Sequence, residues 1–289
     1  MAYTEALNRR GASPNTLKLN ARNWSFYLSP YQARELSSIS KRDVRDWHAK
    51  WGESGPTVAN KAARLLRAIF NYTQKKLTDE LIANPCCAFE FFQERGLRRL
   101  IPTAGLGDWW KRVESIPNPI RRGYWTFLLF TGLRKEDAAT LKWQDVHECH
   151  IHRPNPKGGR TKAFDVPITA QVAELLAEVK AAGARLHPNS PYVFPSGAAR
   201  GYVTNAREDA HIPNCSPHDV RRTYATACVE AGIDPYTVKA LLNHAPDLSD
   251  VTARYVLPTG ARKAEAAQKV ADYLTSQIEN AKNAQPLVA

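Results

Sequence analysis

Phe130-Thr131-Gly132-Leu133-Arg134-Lys135-Glu136-Asp137 lies between an apolar helical run, Trp125 to Leu129, and a second run ending near Leu141. Gly132 marks a turn between the two runs. That turn delivers Arg134 to the start of the second helix, with Asp137 one turn later on the same face. An arginine held by a carboxylate is a rigid fork of N–H donors, suited to clasping phosphate oxygens. An ordinary surface ion pair has the same sequence appearance, so the stretch acquires chemical meaning only from what accompanies it.

Two further segments accompany it. Ser216-Pro217-His218-Asp219-Val220-Arg221 places a capping serine, a proline at the first helical position and an aspartate at the third, a capping-box-like helix start. His218 and Arg221 then project from one face near the positive helix end, where an anion is stabilised. Leu241-Leu242-Asn243-His244 follows, and eleven residues after His244 comes Tyr255, within Thr252-Ala253-Arg254-Tyr255. A phenol with a pKa near ~10 is a poor nucleophile unless cations stabilise its phenolate.

Working outward, the chain has 289 residues, 43% of them hydrophobic and 24% charged. Those proportions fit a globular protein of one large or two modest domains and exclude a disordered or fibrous chain. No stretch approaches the ~20 apolar residues needed to span a bilayer. Met1 to Arg10 lack the apolar centre of a secretory signal. The five cysteines (Cys86, Cys87, Cys149, Cys215 and Cys228) include an adjacent pair and form no CxxC. An odd count of this kind argues against a disulfide framework and a structural zinc, and for a reducing compartment. The expectation is a soluble, cytoplasmic protein.

The net charge of +12 suggests nucleic acid as a partner, through phosphate neutralisation. The excess is uneven. Residues 1–99 carry 17 Lys and Arg against 9 Asp and Glu, and the remainder 23 against 19. A small basic domain joined to a larger one is therefore expected, as residues 1–97 and 98–289. A linker is expected around Gly96 to Gly107, where Arg98, Arg99, Pro102 and two glycines interrupt the pattern.

The first domain reads as all helix. Ser13-Pro14 starts one helix, along which Leu17, Ala21, Trp24 and Leu28 recur at helical steps. Ser40 caps a second with Val44, Trp47 and Trp51 on one face. Pro56-Thr57 opens a third with Val58, Ala62, Leu65, Leu66, Ile69 and Phe70 inward. Lys18, Arg22, Lys41, Arg42, Arg45, Lys61 and Arg64 lie between these apolar positions and are the candidate DNA-contacting residues. In the second domain Asp145 to Cys149, His150 to Pro154 and Ala163 to Ile168 read as short strands. Asn155-Pro156-Lys157-Gly158-Gly159 is the turn joining the last two. Helices resume at Ala170–Val179, Ser216–Glu230, Pro235–Asn243 and Arg262–Ile278. The fold class is mainly α with a small antiparallel sheet in the second domain (α+β).

His147-Glu148-Cys149-His150-Ile151-His152 is rich in metal-ligand types, and alternate strand residues share a face. The spacing matches no zinc pattern, and polar residues at a hydrated hairpin explain it equally well, so no metal is assigned.

Together these segments resemble the tyrosine recombinase (phage integrase) family over most of residues 13–260. Thr131-Gly132-Leu133-Arg134 is similar to the family's first arginine box, His218-Asp219-Val220-Arg221 to its His-x-x-Arg box, and Leu242-Asn243-His244 to its Leu-Gly-His element. Tyr255 falls where the nucleophile belongs. A hairpin lysine completes the family set; Lys157 matches best, at the turn itself, with Lys162 beside the turn as the alternative.

The resemblance implies a helical core-binding domain, a catalytic domain, and DNA strand exchange through a 3′-phosphotyrosyl link. It casts Tyr255 as nucleophile, Arg134 and Arg221 on the non-bridging oxygens, His218 and His244 beside the phosphate, Lys157 as general acid and Asp137 as support for Arg134. It implies neither metal nor ATP, and double-stranded DNA at a specific site as partner. The state it implies is a monomer off DNA and a homo-tetramer on it; the C-terminal stripe Val270, Leu274 and Ile278 is expected either to pack on its own domain or to dock on a neighbouring subunit. A type IB topoisomerase or a silent DNA-binding regulator are the alternatives. The chain starts almost at the first core-binding helix, so an arm-binding domain is expected to be absent or removed. Asn243 stands where the family has glycine, but asparagine tolerates left-handed backbone. Asp137 in place of glutamate shortens the supporting reach, and the His244–Tyr255 spacing implies a longer loop.

Overall fold

The computed structural model describes residues 2–76, 83–87, 90–94, 96, 99–204, 211–244 and 258–283. The chain divides into two compact units, Met1–Leu97 and Arg98–Ala289.

The first unit contains helices α1 (Ala2–Arg9), α2 (Pro14–Asn23), α3 (Lys41–Gly52) and α4 (Pro56–Lys76). Ser13 accepts from the Thr16 amide at the start of α2, and Ser40 forms a reciprocal capping box with Asp43 on α3. The core is built where α3 meets α4: Val44, Trp47 and Trp51 pack with Ala62, Leu65, Leu66 and Phe70. Val58 and Ile69 sit half-buried at its margin. Of the stripe expected along α2 and beyond, Leu28 alone is buried, past the end of the helix. A wider π-helical turn at Trp24–Leu28 shifts the helical register there, leaving Trp24 and Phe26 on the surface. Helix α1 forms without a cap signal in the sequence.

A buried polar network pins residues 92–94 to this unit. Asn60, with no exposed surface, donates to the Phe92 carbonyl and a Glu94 carboxylate oxygen, both at 2.8 Å. Its own Oδ1 accepts from the Phe92 amide at 3.0 Å and faces Nε2 of buried His48, also at 3.0 Å. The His48 ring stacks on Phe92.

The second unit contains α5 (Leu106–Glu114), α6 (Pro119–Thr131), α7 (Lys135–Ala139), β1 (His150–Arg153), β2 (Phe164–Pro167), α8 (Ala170–Leu186), α9 (Pro217–Glu230), α10 (Pro235–Leu241) and α11 (Gly260–Asn283). Helix α6 is its axis. Ile120, Tyr124, Phe127 and Leu128 are wholly buried among α5, α8, α9 and α11. Val270, Leu274 and Ile278 of α11 are buried in the same core, so this stripe is consumed within its own unit.

Three expectations are corrected here. The interruption expected to run through Gly107 ends sooner, because Gly107 lies inside α5 and serves packing: a Cβ there would come within 2.8 Å of the Ala281 backbone on α11. Asp145 to Cys149 is not a strand. Trp143–Asp145 form a 3-10 turn, Val146 alone bridges to Ile151, and the His147 amide closes on the His150 carbonyl at 2.9 Å. The chain reverses too tightly for a longer pairing. Helix α8 runs about two turns past Val179, carried by its Ala-rich continuation to Leu186. β1 and β2 pair antiparallel, from His150 opposite Pro167 to Arg153 opposite Phe164. No helix among the described residues is long and apolar enough to cross a membrane.

Candidate active site

Two left-handed turns build the site. Helix α6 ends at Gly132, φ 60°, whose amide returns to the Leu128 carbonyl at 2.9 Å. A Cβ at Gly132 would strike the ring of buried Tyr224, so only glycine fits. Helix α10 ends in a Schellman motif: the Asn243 amide reaches the Ala240 carbonyl at 3.0 Å and the His244 amide the Lys239 carbonyl at 2.9 Å. Asn243 takes the left-handed position at φ 46°, as its side chain allows.

These turns release backbone carbonyls, and the arginines take them crosswise. Arg221, on the first turns of α9, donates from Nη1 to the Gly132 carbonyl at 2.8 Å and from Nη2 to the Leu242 carbonyl at 2.7 Å. Its Nη2 also reaches Nε2 of His244 at 3.0 Å. Arg134 donates from Nη2 to the Asn243 carbonyl at 3.3 Å. The structure thus brings together Arg134, Arg221 and His244, which are far apart along the chain. Asp137 lies beneath them, 3% exposed. Its Oδ2 is 3.9 Å from Nη1 of Arg134, a loose pair consistent with the short aspartate reach. The Ser216–Asp219 capping box fixes the start of α9, so Arg221 is held by helix geometry as well as by its acceptors.

The electrostatics favour an incoming anion. Burial, and then the neighbouring charge of Arg134, bring the Arg221 pKa down to about 10 against the support of Asp137. Arg221 remains a cation at neutral pH, but one short of compensating charge. His244 is also pushed below its ordinary value, by burial and then by Arg221, Arg134 and Lys239. Among the described residues, three of the five Arg221 N–H groups are committed to these partners, leaving two for a ligand.

The remaining candidates stand differently. His218 is exposed at the second position of α9, one turn before Arg221. Lys157 and Lys162 are exposed on the β1–β2 connection, where the stem of Lys162 lies over Gly158. Among the described residues no hydrogen bond or ion pair joins either lysine to the arginines. Tyr255 lies outside the described residues. In the first unit Lys18, Arg22, Lys41, Arg42, Arg45, Lys61 and Arg64 are all exposed. Arg22 lies over the Phe26 ring, Arg42 pairs loosely with Asp46, and Arg64 is engaged by Glu94 at 2.7 Å and by the Phe91 ring. The histidine-rich hairpin does not converge on a point: His150 stacks on His147 while His152 pairs with Asp165 at 2.8 Å.

Sequence reasoning missed Arg153. It is 4% exposed at the end of β1, where the burial alternation puts Ile151 and Arg153 inside. That alternation was legible, since an arginine in phase with the inward isoleucine has to be buried.

Residues 113–262 match the sequence profile of the phage integrase family. The chain is 27% identical over 239 residues to the prophage integrase IntF of Escherichia coli K12, covering 73% of this chain but only 48% of that protein. It is 25% identical over 288 residues to the tyrosine recombinase XerA of Pyrococcus horikoshii, covering 92% of this chain and 91% of that one. The fold is similar to that of a lambda integrase tetramer bound to a Holliday junction, with a TM-score of 0.67 at 17% identity over 86% of this chain and 76% of the other. It is similar too to the Tn1549 transposon integrase in complex with a circular intermediate DNA, with a TM-score of 0.63 at 16% identity over 93% of this chain and 98% of the other.

Proposed function

The chain belongs to the phage integrase family, and from that membership we propose that it is a tyrosine site-specific recombinase, an enzyme that cuts and rejoins duplex DNA. The observation that carries the reading is that Arg134 and Arg221 are both held on the turn 242–244, where Arg221 meets His244. Two guanidiniums with spare N–H groups, repelling one another, form a preorganised seat for an anion with several acceptor oxygens. A phosphodiester is such an anion.

In this scheme the Tyr255 oxygen attacks phosphorus as the P–O5′ bond breaks, leaving a 3′-phosphotyrosine and a 5′-hydroxyl. The phenol proton passes toward His218, and Lys157 delivers a proton to the departing 5′ oxygen. Arg134 and Arg221 hold the non-bridging oxygens while charge builds there. Attack by the 5′-hydroxyl of another strand reverses the step and frees the phenol, so the bond energy is conserved without a nucleotide. Residues 1–97 would act as the core-binding domain, gripping the duplex through their exposed cations, and residues 98–289 as the catalytic domain. Assembly as four protomers on DNA accords with the tetramer described for lambda integrase.

The test is covalent trapping on nicked suicide duplexes drawn from a randomised library. The expected result is a protease-sensitive adduct, retained in EDTA, lost in Tyr255→Phe and enriched for one sequence. An adduct undiminished in Tyr255→Phe overturns the nucleophile assignment. Relaxation of any supercoiled plasmid without site preference overturns site-specific recombination.

A further inference from the structure

Behind the arginine pair lies a second charged layer. Arg153 is buried, donating from Nη2 to Thr140 Oγ1 at 2.9 Å and lying 3.9 Å from Asp145 through Nη1. Asp145 is itself 8% exposed. Arg153 Nε and Asp137 Oδ2 are both buried and, among the described residues, have no hydrogen-bond partner. Burial lowers the Arg153 pKa, and the charges of Asp137 and then Asp145 offset it. The same Asp137 charge supports Arg221 and pairs with Arg134. Asp137 lies on α7, whose C-cap residue Thr140 takes the Arg153 hydrogen bond, and its Oδ2 is 3.9 Å from Arg134.

Buried ionic clusters are weak sources of stability, since apolar side chains of equal volume do as well or better. A cluster that ends on the phosphate-facing arginines invites a different explanation. We propose that Arg153 is a positioning residue for strand cleavage: from the inner face of β1 it holds Thr140 at the end of α7, and so fixes Asp137 on that helix against Arg134 at the scissile phosphate. The proposal rests on the recombinase reading above. Arg153 touches no DNA in it. Its effect is to make the guanidinium seat rigid, and rigidity matters because a small displacement of catalytic groups costs far more in rate than in affinity. Asp145, in the turn that follows α7, anchors Arg153 from another side.

The test is a double-mutant cycle on single-turnover cleavage, with a nicked suicide duplex carrying the sequence recovered from trapped adducts. Arg153→Met is expected to cleave about 100-fold more slowly, with DNA affinity within about twofold of the parent, and Arg153→Lys to recover about tenfold. Adding Arg153→Met to Asp137→Asn should slow cleavage by no more than about twofold beyond Asp137→Asn alone, because the two side chains act in series. Should Arg153→Met fold poorly, Thr140→Val serves in the same cycle, since it removes the Arg153 hydrogen bond while keeping volume and charge. Multiplying losses in the cycle, or Arg153→Met cleaving within about threefold of the parent, overturn the proposal while the recombinase reading stands. A parent protein that forms no adduct on any duplex overturns both.

Discussion

Arg221 and His244 meet through one hydrogen bond, 3.0 Å from Nη2 to Nε2, and its direction is fixed. A guanidinium only donates, so Nε2 of His244 accepts and any ring proton lies on Nδ1. The imidazole must then be neutral for the contact to exist. Burial and the cations Arg221, Arg134 and Lys239 all push His244 that way. Its folded-state pKa is depressed, so its contribution to stability is fully present above the unfolded value of about 6.5 and is lost as pH falls through the lower folded value. An NMR titration of the His244 ring should show a midpoint below about 6.5, moving upward in Arg221→Met. A midpoint at or above that value in the parent protein contradicts the arrangement.

The two left-handed turns respond oppositely to substitution. Gly132→Ala adds a Cβ at φ 60° against the Tyr224 ring, and should cost about 3 kcal/mol from backbone strain and overpacking together. Because the Gly132 carbonyl also holds Arg221, cleavage should fall along with the melting temperature. Asn243→Gly should be neutral or slightly stabilising, whereas Asn243→Ala should cost about 1 kcal/mol. Thermal melts of the three variants check the ranking.

In the first unit, Asn60 saturates its amide with Phe92, Glu94 and His48. Asn60→Leu leaves the buried His48 nitrogen and the Phe92 backbone without these partners, and should destabilise the unit by about 2–4 kcal/mol. Amide hydrogen exchange at Phe92 should accelerate before any global change. Unaltered protection there would mean that the network does not hold the segment.

The exposed cations of the first unit should act by degrees, unlike those of the site. Replacing Lys41, Arg42 and Arg45 with alanine should flatten the slope of log affinity against log salt by about 0.9 for each phosphate that is no longer neutralised. Cleavage per bound complex should be unchanged. Arg64, already engaged by Glu94 and Phe91, should contribute less to the slope than its neighbours.

The helices and caps were legible in the sequence because their signals are local. Ser40 capped its helix and Ser216 with Asp219 closed the box that its spacing implied, and Asn243 adopted the left-handed backbone that its type tolerates. Local chemistry also marked the types of residue that could grip a phosphate. What it could not mark was which groups are joined across the chain. The short β1–β2 sheet was overdrawn by one strand, since a strand's length depends on how fast its partner turns away. Gly107 looked like an interruption because the Ala281 backbone against it is remote in sequence. Nothing local says that Arg221 would be held by the Gly132 carbonyl, or that Arg153 would donate to Thr140. Sequence by itself determined the elements, their caps and the charged side chains they carry. Tertiary structure alone decided which carbonyls and carboxylates surround those charges, because burial and long-range contact set the field in which each guanidinium works.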